Sequence, residues 1–348
     1  MKSKKVVCII IIVFIFLLTV TYFQNPKLLD RALYRIGIQE QVCFSENIVS
    51  NLEGAKNIAA VGDVALTKNS LDTLQSLNSV DPEIILFLGD LSYGTADEWI
   101  EFTNFLEKEK TFITIGDDDL WYEEEYLAYY GLKNAYYSFD FENVHFLIID
   151  SAFGEGIATK MKDDKAQLDF IINDLRNANE NQETDWTIVS MHFPTYSSRS
   201  VGSFVELRNE LQPIFDSYGI DLVMNGHKHA YERTQPVMFN NTITDYGKCS
   251  YDNPDGQIYI TVGTGGHSHS TFKQKQPWSV ITNHNDFGFL NIKLLNNGKI
   301  LYGEFISNTG KVMDAFKINL NDKRINIVEK ISETKECDTF VILTEWEE

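Results

Sequence analysis

Ile84-Ile85-Leu86-Phe87-Leu88-Gly89-Asp90 is an apolar run that stops at a glycine and, directly after it, a carboxylate. The same phrase recurs along the chain. Ile58-Ala59-Ala60-Val61-Gly62 ends at Asp63, and Phe112-Ile113-Thr114-Ile115-Gly116 ends at Asp117. Trp186-Thr187-Ile188-Val189-Ser190-Met191 ends at His192, and Leu222-Val223-Met224-Asn225-Gly226 ends at His227, with His229 two residues on. Short uninterrupted apolar runs rich in β-branched residues read as strands buried on both faces. Stretches with helical patterning separate several of them, at Ser70 to Leu77, Ala96 to Lys108, Leu120 to Tyr130, Ala166 to Asn177 and Phe204 to Tyr218. Alternating strands and helices predict an α/β core. Ligands gather beyond the carboxyl ends of such strands, so three Asp and three His are expected to converge on one side of the sheet.

The later chain has a different rhythm. Gln257 to Val262, Phe289 to Leu294, Lys299 to Ile306 and Val312 to Ile318 read as strands with few helices between them. Asn296-Asn297-Gly298 and Asn308-Thr309-Gly310 mark hairpin turns. A second sheet packed on the first is expected from these strands, within one domain.

Upstream, Lys2, Lys4 and Lys5 precede Val6 to Phe23, a stretch with no charged residue that is long enough to cross a bilayer as a helix. Residues 1–24 therefore read as a signal anchor or signal peptide, with the lysines left in the cytoplasm and the remainder exported. The expected organisation continues with a juxtamembrane linker at 25–54, a catalytic domain at 55–320 and an acidic C-terminal extension at 321–348. The chain is expected outside the cytoplasm, anchored to the membrane or secreted. The formal net charge of −20 repels phosphate backbones and argues against a nucleic-acid partner. The four cysteines contain no C-x-x-C pair, which excludes zinc-ribbon and thioredoxin arrangements. One disulfide, for example Cys249 with Cys337, fits an exported chain, but the sequence does not fix the pairing.

Carboxylates and imidazoles gathered in one place suit Fe, Zn and Mn better than Ca or Mg. A carboxylate such as Asp90 can bind one ion with each oxygen. Two ions held in this way clamp the attacking and leaving oxygens of an in-line displacement and lower the pKa of bound water. A phosphate ester is the substrate such a site suits.

Gly62-Asp63, Gly89-Asp90-Leu91-Ser92-Tyr93, Met191-His192 and Gly226-His227-Lys228-His229-Ala230-Tyr231-Glu232-Arg233 together resemble the calcineurin-like metallophosphoesterases, and the Tyr93 spacing and His-Ala-Tyr-Glu-Arg phrase are similar to the purple acid phosphatase branch in its small form. The likeness runs through Val144-His145-Phe146 to Asp150, Gly263-Thr264-Gly265-Gly266 and Gly310-Lys311-Val312-Met313-Asp314. It implies a four-layer α/β/β/α sandwich, to which the leader read above adds an N-terminal membrane segment. It implies one metal on Asp63, Tyr93 and His229, a second on Asp117, His192 and His227, and Asp90 bridging the two. The expected pair is Fe(III), bound by Tyr93 as a phenolate, with a divalent Fe, Zn or Mn ion.

The third block departs from the family's Gly-Asn-His-Asp/Glu. Here it is Gly116-Asp117-Asp118-Asp119. Asp117 replaces a neutral amide ligand with a charged one. Asp118 replaces the histidine that contacts phosphate, and can protonate a leaving group if neighbouring carboxylates raise its pKa. Asp119 reads as the cap of the helix from Leu120. Phosphate-contacting histidines of the plant-type members correspond to Val201 and Gly202 here, leaving Arg199, the hydroxyls of Ser197 and Ser198, and His267 and His269 as substitutes. Of these, Arg199 and His267 are the expected substrate contacts. His145, inside an apolar run, reads as a satisfied core histidine. The expected activity is hydrolysis of phosphate monoesters by water activated at a dinuclear centre, as in acid phosphatases. The alternatives are phosphodiester or nucleotide-pyrophosphate hydrolysis, and a catalytically weak metal-binding protein, given the altered third block. Oligomeric state is not legible.

Overall fold

A computed structural model describes residues 54–152, 165–199, 202–272 and 274–320. The expected leader, residues 25–53 of the linker and the C-terminal extension lie outside these residues. Among the described residues no helix is long and apolar enough to cross a membrane. Cys249 is disulfide-bonded, whereas Cys337 lies outside the described residues.

The first half alternates as the sequence predicts: β1 (Lys56–Val61), α1 (Lys68–Asn78), β2 (Ile84–Leu88), α2 (Ala96–Phe102), β3 (Thr111–Thr114), α3 (Glu123–Tyr130), β4 (Tyr137–Phe141), β5 (Val144–Ile149), α4 (Lys165–Glu180), β6 (Trp186–Met191), α5 (Val205–Tyr218) and β7 (Leu222–Asn225). Short strands follow, β8 (Tyr231–Thr234), β9 (Val237–Met238), β10 (Thr242–Ile243), β11 (Ser250–Asp252), β12 (Ile258–Val262) and β13 (Ser279–Asn283). The chain closes with the meander β14 (Gly288–Leu295), β15 (Ile300–Ser307) and β16 (Val312–Asn319). Thr95 caps α2 in a box with Glu98, each side chain taking the other's backbone N–H. The β14–β15 hairpin turns through Asn296, Asn297 and Gly298, all with positive φ, the conformation that Asn and Gly adopt most cheaply.

Two seven-stranded sheets form, in the orders β11-β16-β15-β14-β1-β2-β3 and β13-β8-β12-β7-β6-β5-β4. The late strands do not make a sheet of their own, contrary to the expectation. β14 pairs antiparallel with β1 and extends the first sheet, while β12 pairs parallel with β7 and joins the second. The metal-capable strands are consequently divided, β1 to β3 in one sheet and β6 and β7 in the other.

Alternation along each strand explains the uninterrupted apolar runs. Ile58 and Ala60 of β1 face the other sheet, and Ala59 and Val61 face α1. Trp186 and Ile188 of β6 face the first sheet, and Val189 and Met191 pack under α4 and α5. With α1 to α3 on one outside face and α4 and α5 on the other, the layers run α/β/β/α. Each Ile, Leu or Phe buried between the sheets contributes about 1.5–3 kcal/mol. Polar contacts also join the sheets, among them Thr114 of β3 with Ser190 of β6 at 2.7 Å and one buried ion pair. Arg233 of β8 and Asp314 of β16, both fully buried, pair through Nε–Oδ2 at 2.6 Å and Nη2–Oδ1 at 2.9 Å.

Candidate metal centre

The divided strands end at the same edge of the sandwich, where their loops lock together. Gly62 donates its amide to the Val262 carbonyl, and His192 Nδ1 donates to the Leu88 carbonyl at 2.8 Å. Each bond joins a strand end of one sheet to a strand end of the other. Asp63 and Val64 donate to the carbonyls of Gly89 and Asp90. Gly89 is required here, since its φ is 86° and a β-carbon would collide with the His192 ring. A β-carbon on Gly116 would overlap the Asp90 carboxylate. Asp63, Asp90, Tyr93 and His227 all have left-handed φ, a conformation that costs energy in residues other than glycine and clusters at functional sites.

Two donor sets result. Asp63, Asp90 and His229 present ligand atoms within 4.8 Å of one another, as do Asp90, Asp117, His192 and His227. Asp90 belongs to both. Its Oδ2 lies 3.0 Å from Tyr93 Oη on one side, and its Oδ1 lies 3.3 Å from His192 Nε2 on the other. In the first set the Tyr93 hydroxyl is also 3.2 Å from Asp63 Oδ1 and 3.0 Å from His229 Nε2. In the second, Asp117 Oδ1 is 3.0 Å from His192 Nε2 and 3.1 Å from His227 Nδ1. His192 and His229 each donate Nδ1–H to a backbone carbonyl, of Leu88 and of Ser268, which aims Nε2 at the carboxylates. That arrangement suits metal-ligating histidines. The mixed carboxylate–imidazole donors, one carboxylate shared, fit a pair of transition-metal cations.

Burial and neighbouring charges displace the titration of several of these groups in opposite directions. Burial opposes ionisation of Asp117, and hydrogen bonds from His192 and His227 overcome it, so its carboxyl lies well below the usual range. Burial works against charge on His192, but the Asp90 and Asp117 carboxylates raise its pKa. Burial, then Asp63 and Asp90, drive the Tyr93 phenol far above its ordinary value. A phenolate there needs a cation beside it, and binding one would release the proton.

The remaining expected residues divide. The Asp118 amide donates to Asp90 Oδ1 at 3.0 Å, which sets its carboxyl at the rim of the centre. Burial, then the Asp90 and Asp117 charges, push that carboxyl up to about 6. His267 stacks on Tyr93, ring centroids 4.3 Å apart, and its Nδ1 is 3.0 Å from that of His229. Arg199 has a buried Nε, and its charge is felt by Asp63 and His229. The Ser197 and Ser198 hydroxyls are engaged within their own surroundings, taking the amides of Arg199 and Gln276. His269 stacks on Phe287 instead. His145 is held at both ring nitrogens, by Asp140 and Asp174, each at 2.8 Å.

Asp119 differs from expectation. It makes no side-chain cap to the turn Leu120–Tyr122. Its buried carboxylate instead takes the amides of Leu91 and Gly116, both at 2.8 Å, and so ties the Asp90 loop to the Asp117 loop. Its place in a run of three aspartates hid that role. Lys228, buried between two ligand-type histidines, was also passed over.

Comparison with known proteins follows the same residues. The calcineurin-like phosphoesterase family matches residues 56–231, and an iron/zinc purple acid phosphatase-like C-terminal family matches 256–315. Purple acid phosphatase 23 of Arabidopsis thaliana is 26% identical over 256 residues, covering 60% of this chain and 52% of its own length. Probable inactive purple acid phosphatase 1 of the same plant is 30% identical over 203 residues, covering 56% of this chain and 32% of its own. The chain thus spans about half, or less, of the length of the curated relatives it matches. A purple acid phosphatase from yellow lupin (Lupinus luteus) seeds superposes with a TM-score of 0.66 at 26% identity, over 78% of this chain and 55% of that one. GAP50 of Plasmodium shares the fold, with a TM-score of 0.61 at 19% identity, over 80% of this chain and 94% of that one.

Proposed function

The chain belongs to the calcineurin-like phosphoesterase family, with a purple acid phosphatase-like C-terminal part, and on that premise we propose that it hydrolyses phosphate monoesters at a dinuclear metal centre. The observation that carries this reading is the sharing of Asp90 between two donor sets. One cation is assigned to Asp63, Tyr93, His229 and Asp90, the other to Asp117, His192, His227 and Asp90, with Fe(III) and a divalent Fe, Zn or Mn ion as the pair. Such ions supply charge neutralisation at the phosphoryl group and acidify bound water.

The chain's own residues do the rest. Arg199 and His267 orient the phosphoryl oxygens. Water oxygen bonds to phosphorus as the ester P–O bond breaks, and protonated Asp118 gives its proton to the leaving oxygen. The leader at 1–24 and the disulfide at Cys249 support a place outside the cytoplasm, tethered to the membrane or secreted. A small phosphate ester is the partner, and the acidic surface disfavours nucleic acid.

A second reading, a metal-binding protein with little activity, is favoured by Asp118 in the place of a histidine and by the similarity to a relative named as probably inactive. Assay of metal-loaded protein with 4-nitrophenyl phosphate and bis(4-nitrophenyl) phosphate from about pH 4 to about pH 9 separates them. Faster turnover of the monoester supports the proposal. Two bound ions without turnover of either ester would establish the silent reading.

A further inference from the structure

Lys228 stands between His227 and His229, and only 2% of it is exposed. A lysine so buried ordinarily has a carboxylate partner. Among the described residues this ammonium has neither a hydrogen bond nor an ion pair. It lies over the ring of Phe204, 4.8 Å from the centroid. Phe204 in turn packs against the imidazole of His227, which reaches Asp117. Arg199 is in a similar position, its Nε buried and without a partner. Its placement is fixed from behind, because the Ser198 amide donates to the buried Glu232 carboxylate at 2.7 Å and Arg199 itself bridges to Phe272.

Among the described residues neither head has a carboxylate partner, and Lys228 borders the centre through Phe204 and His227, so both cationic heads are open to an anion. The two heads complement each other, an ammonium with three rotatable donors beside a planar fork of five.

We infer that Lys228 and Arg199 form an anion clamp on the wall of the candidate centre that holds the non-ester oxygens of a dianionic phosphoryl group. The inference deepens the phosphoesterase reading and rests on it, since it selects among phosphate esters. A monoester offers three non-ester oxygens sharing two negative charges. A diester offers two oxygens and one charge, and presents an uncharged ester oxygen where the clamp needs an acceptor. The clamp therefore favours monoesters.

The test is calorimetric titration of inorganic phosphate into metal-loaded wild type, Lys228→Met, Arg199→Met and Lys228→Arg, with metal content measured on the same samples. Each Met variant is expected to bind phosphate about 10- to 100-fold more weakly at unchanged metal content, the range for losing a charge-assisted hydrogen bond. Lys228→Arg is expected to keep most of the affinity, which separates loss of charge from loss of folding. Dimethyl phosphate, a monoanion, is expected to bind weakly and equally to all four proteins. Phosphate affinity within about twofold of wild type in both Met variants would overturn the clamp, as would an equal fall for dimethyl phosphate. A wild type that turns over no ester yet binds phosphate through Lys228 would refute the enzymatic reading and leave the clamp standing. A wild type that takes up no phosphate would overturn the clamp.

Discussion

Removing the Asp314 carboxylate should weaken the contact between the two sheets. Asp314 is fully buried and accepts three hydrogen bonds, from Arg233 Nε at 2.6 Å, Arg233 Nη2 at 2.9 Å and Tyr231 Oη at 2.9 Å. Asp314→Ala leaves the guanidinium, itself fully buried, with only Tyr251 Oη and the Lys248 carbonyl. Breaking a buried ion pair from one side costs about 3–5 kcal/mol. That is a third or more of the stability of many domains, about 5–15 kcal/mol. The assay is urea unfolding of chelator-treated protein, so that metal binding does not enter the measured stability. The double variant Arg233→Met, Asp314→Leu removes both charges and should recover most of the loss, because apolar replacements of a buried pair are often neutral or better. A loss below about 1 kcal/mol for Asp314→Ala would refute the view that this pair pins the two sheets together.

Other outcomes follow from the same geometry. Asp118 acts as an acid only while protonated, so monoester turnover should fall as pH rises through its pKa, at or below about 6 once neighbouring cations draw it down. In a pH–rate profile Asp118→Asn should remove that limb, and Asp118→His should move it to higher pH and raise activity; a fall in activity for the histidine variant would show that the carboxylate has a role of its own. Tyr93→Phe should abolish the visible charge-transfer band of ferric-loaded protein, and an unchanged absorption spectrum would remove Tyr93 from the coordination sphere. Burial opposes the charge on His145, but Asp174 and Asp140 overcome it, so the folded pKa lies above the ordinary value of 6.5. Its contribution to stability is complete below about pH 6.5 and is lost as pH rises through the folded pKa. His145→Gln should therefore lower Tm more at about pH 6 than at about pH 9, and an equal loss at both would contradict a charged His145.

The strand ends were legible in the sequence for a physical reason. A strand covered on both faces is mostly apolar, so β2 stands out as an unbroken run and β6 as one interrupted only by Thr187 and Ser190, and the Asp or His just beyond each is where the chain leaves the core. Glycine marked the tight points because Gly89 and Gly116 have no room for a β-carbon. Sheet membership was not legible. Whether β14 pairs with β1 or begins a new sheet depends on contacts between residues more than two hundred positions apart, which local pattern does not encode. α2 ends at Phe102, short of the expected Lys108. There Thr103 caps the last turn, its hydroxyl donating to the Trp99 carbonyl. Asp119 and Lys228 were misread or passed over because their roles depend on where the side chain is buried. A third aspartate in a row looks like a cap, and a lysine in a His-Lys-His triplet looks like a solvated spacer.

In the proposed centre one carboxylate, that of Asp90, joins two cation sites. Metal analysis by mass spectrometry on wild type and Asp90→Ala, reconstituted with iron and zinc and freed of excess ion, tests it most directly. Two ions per chain are expected in the wild type and neither in the variant, with the fold retained by circular dichroism. A folded variant that still carries both ions would contradict it.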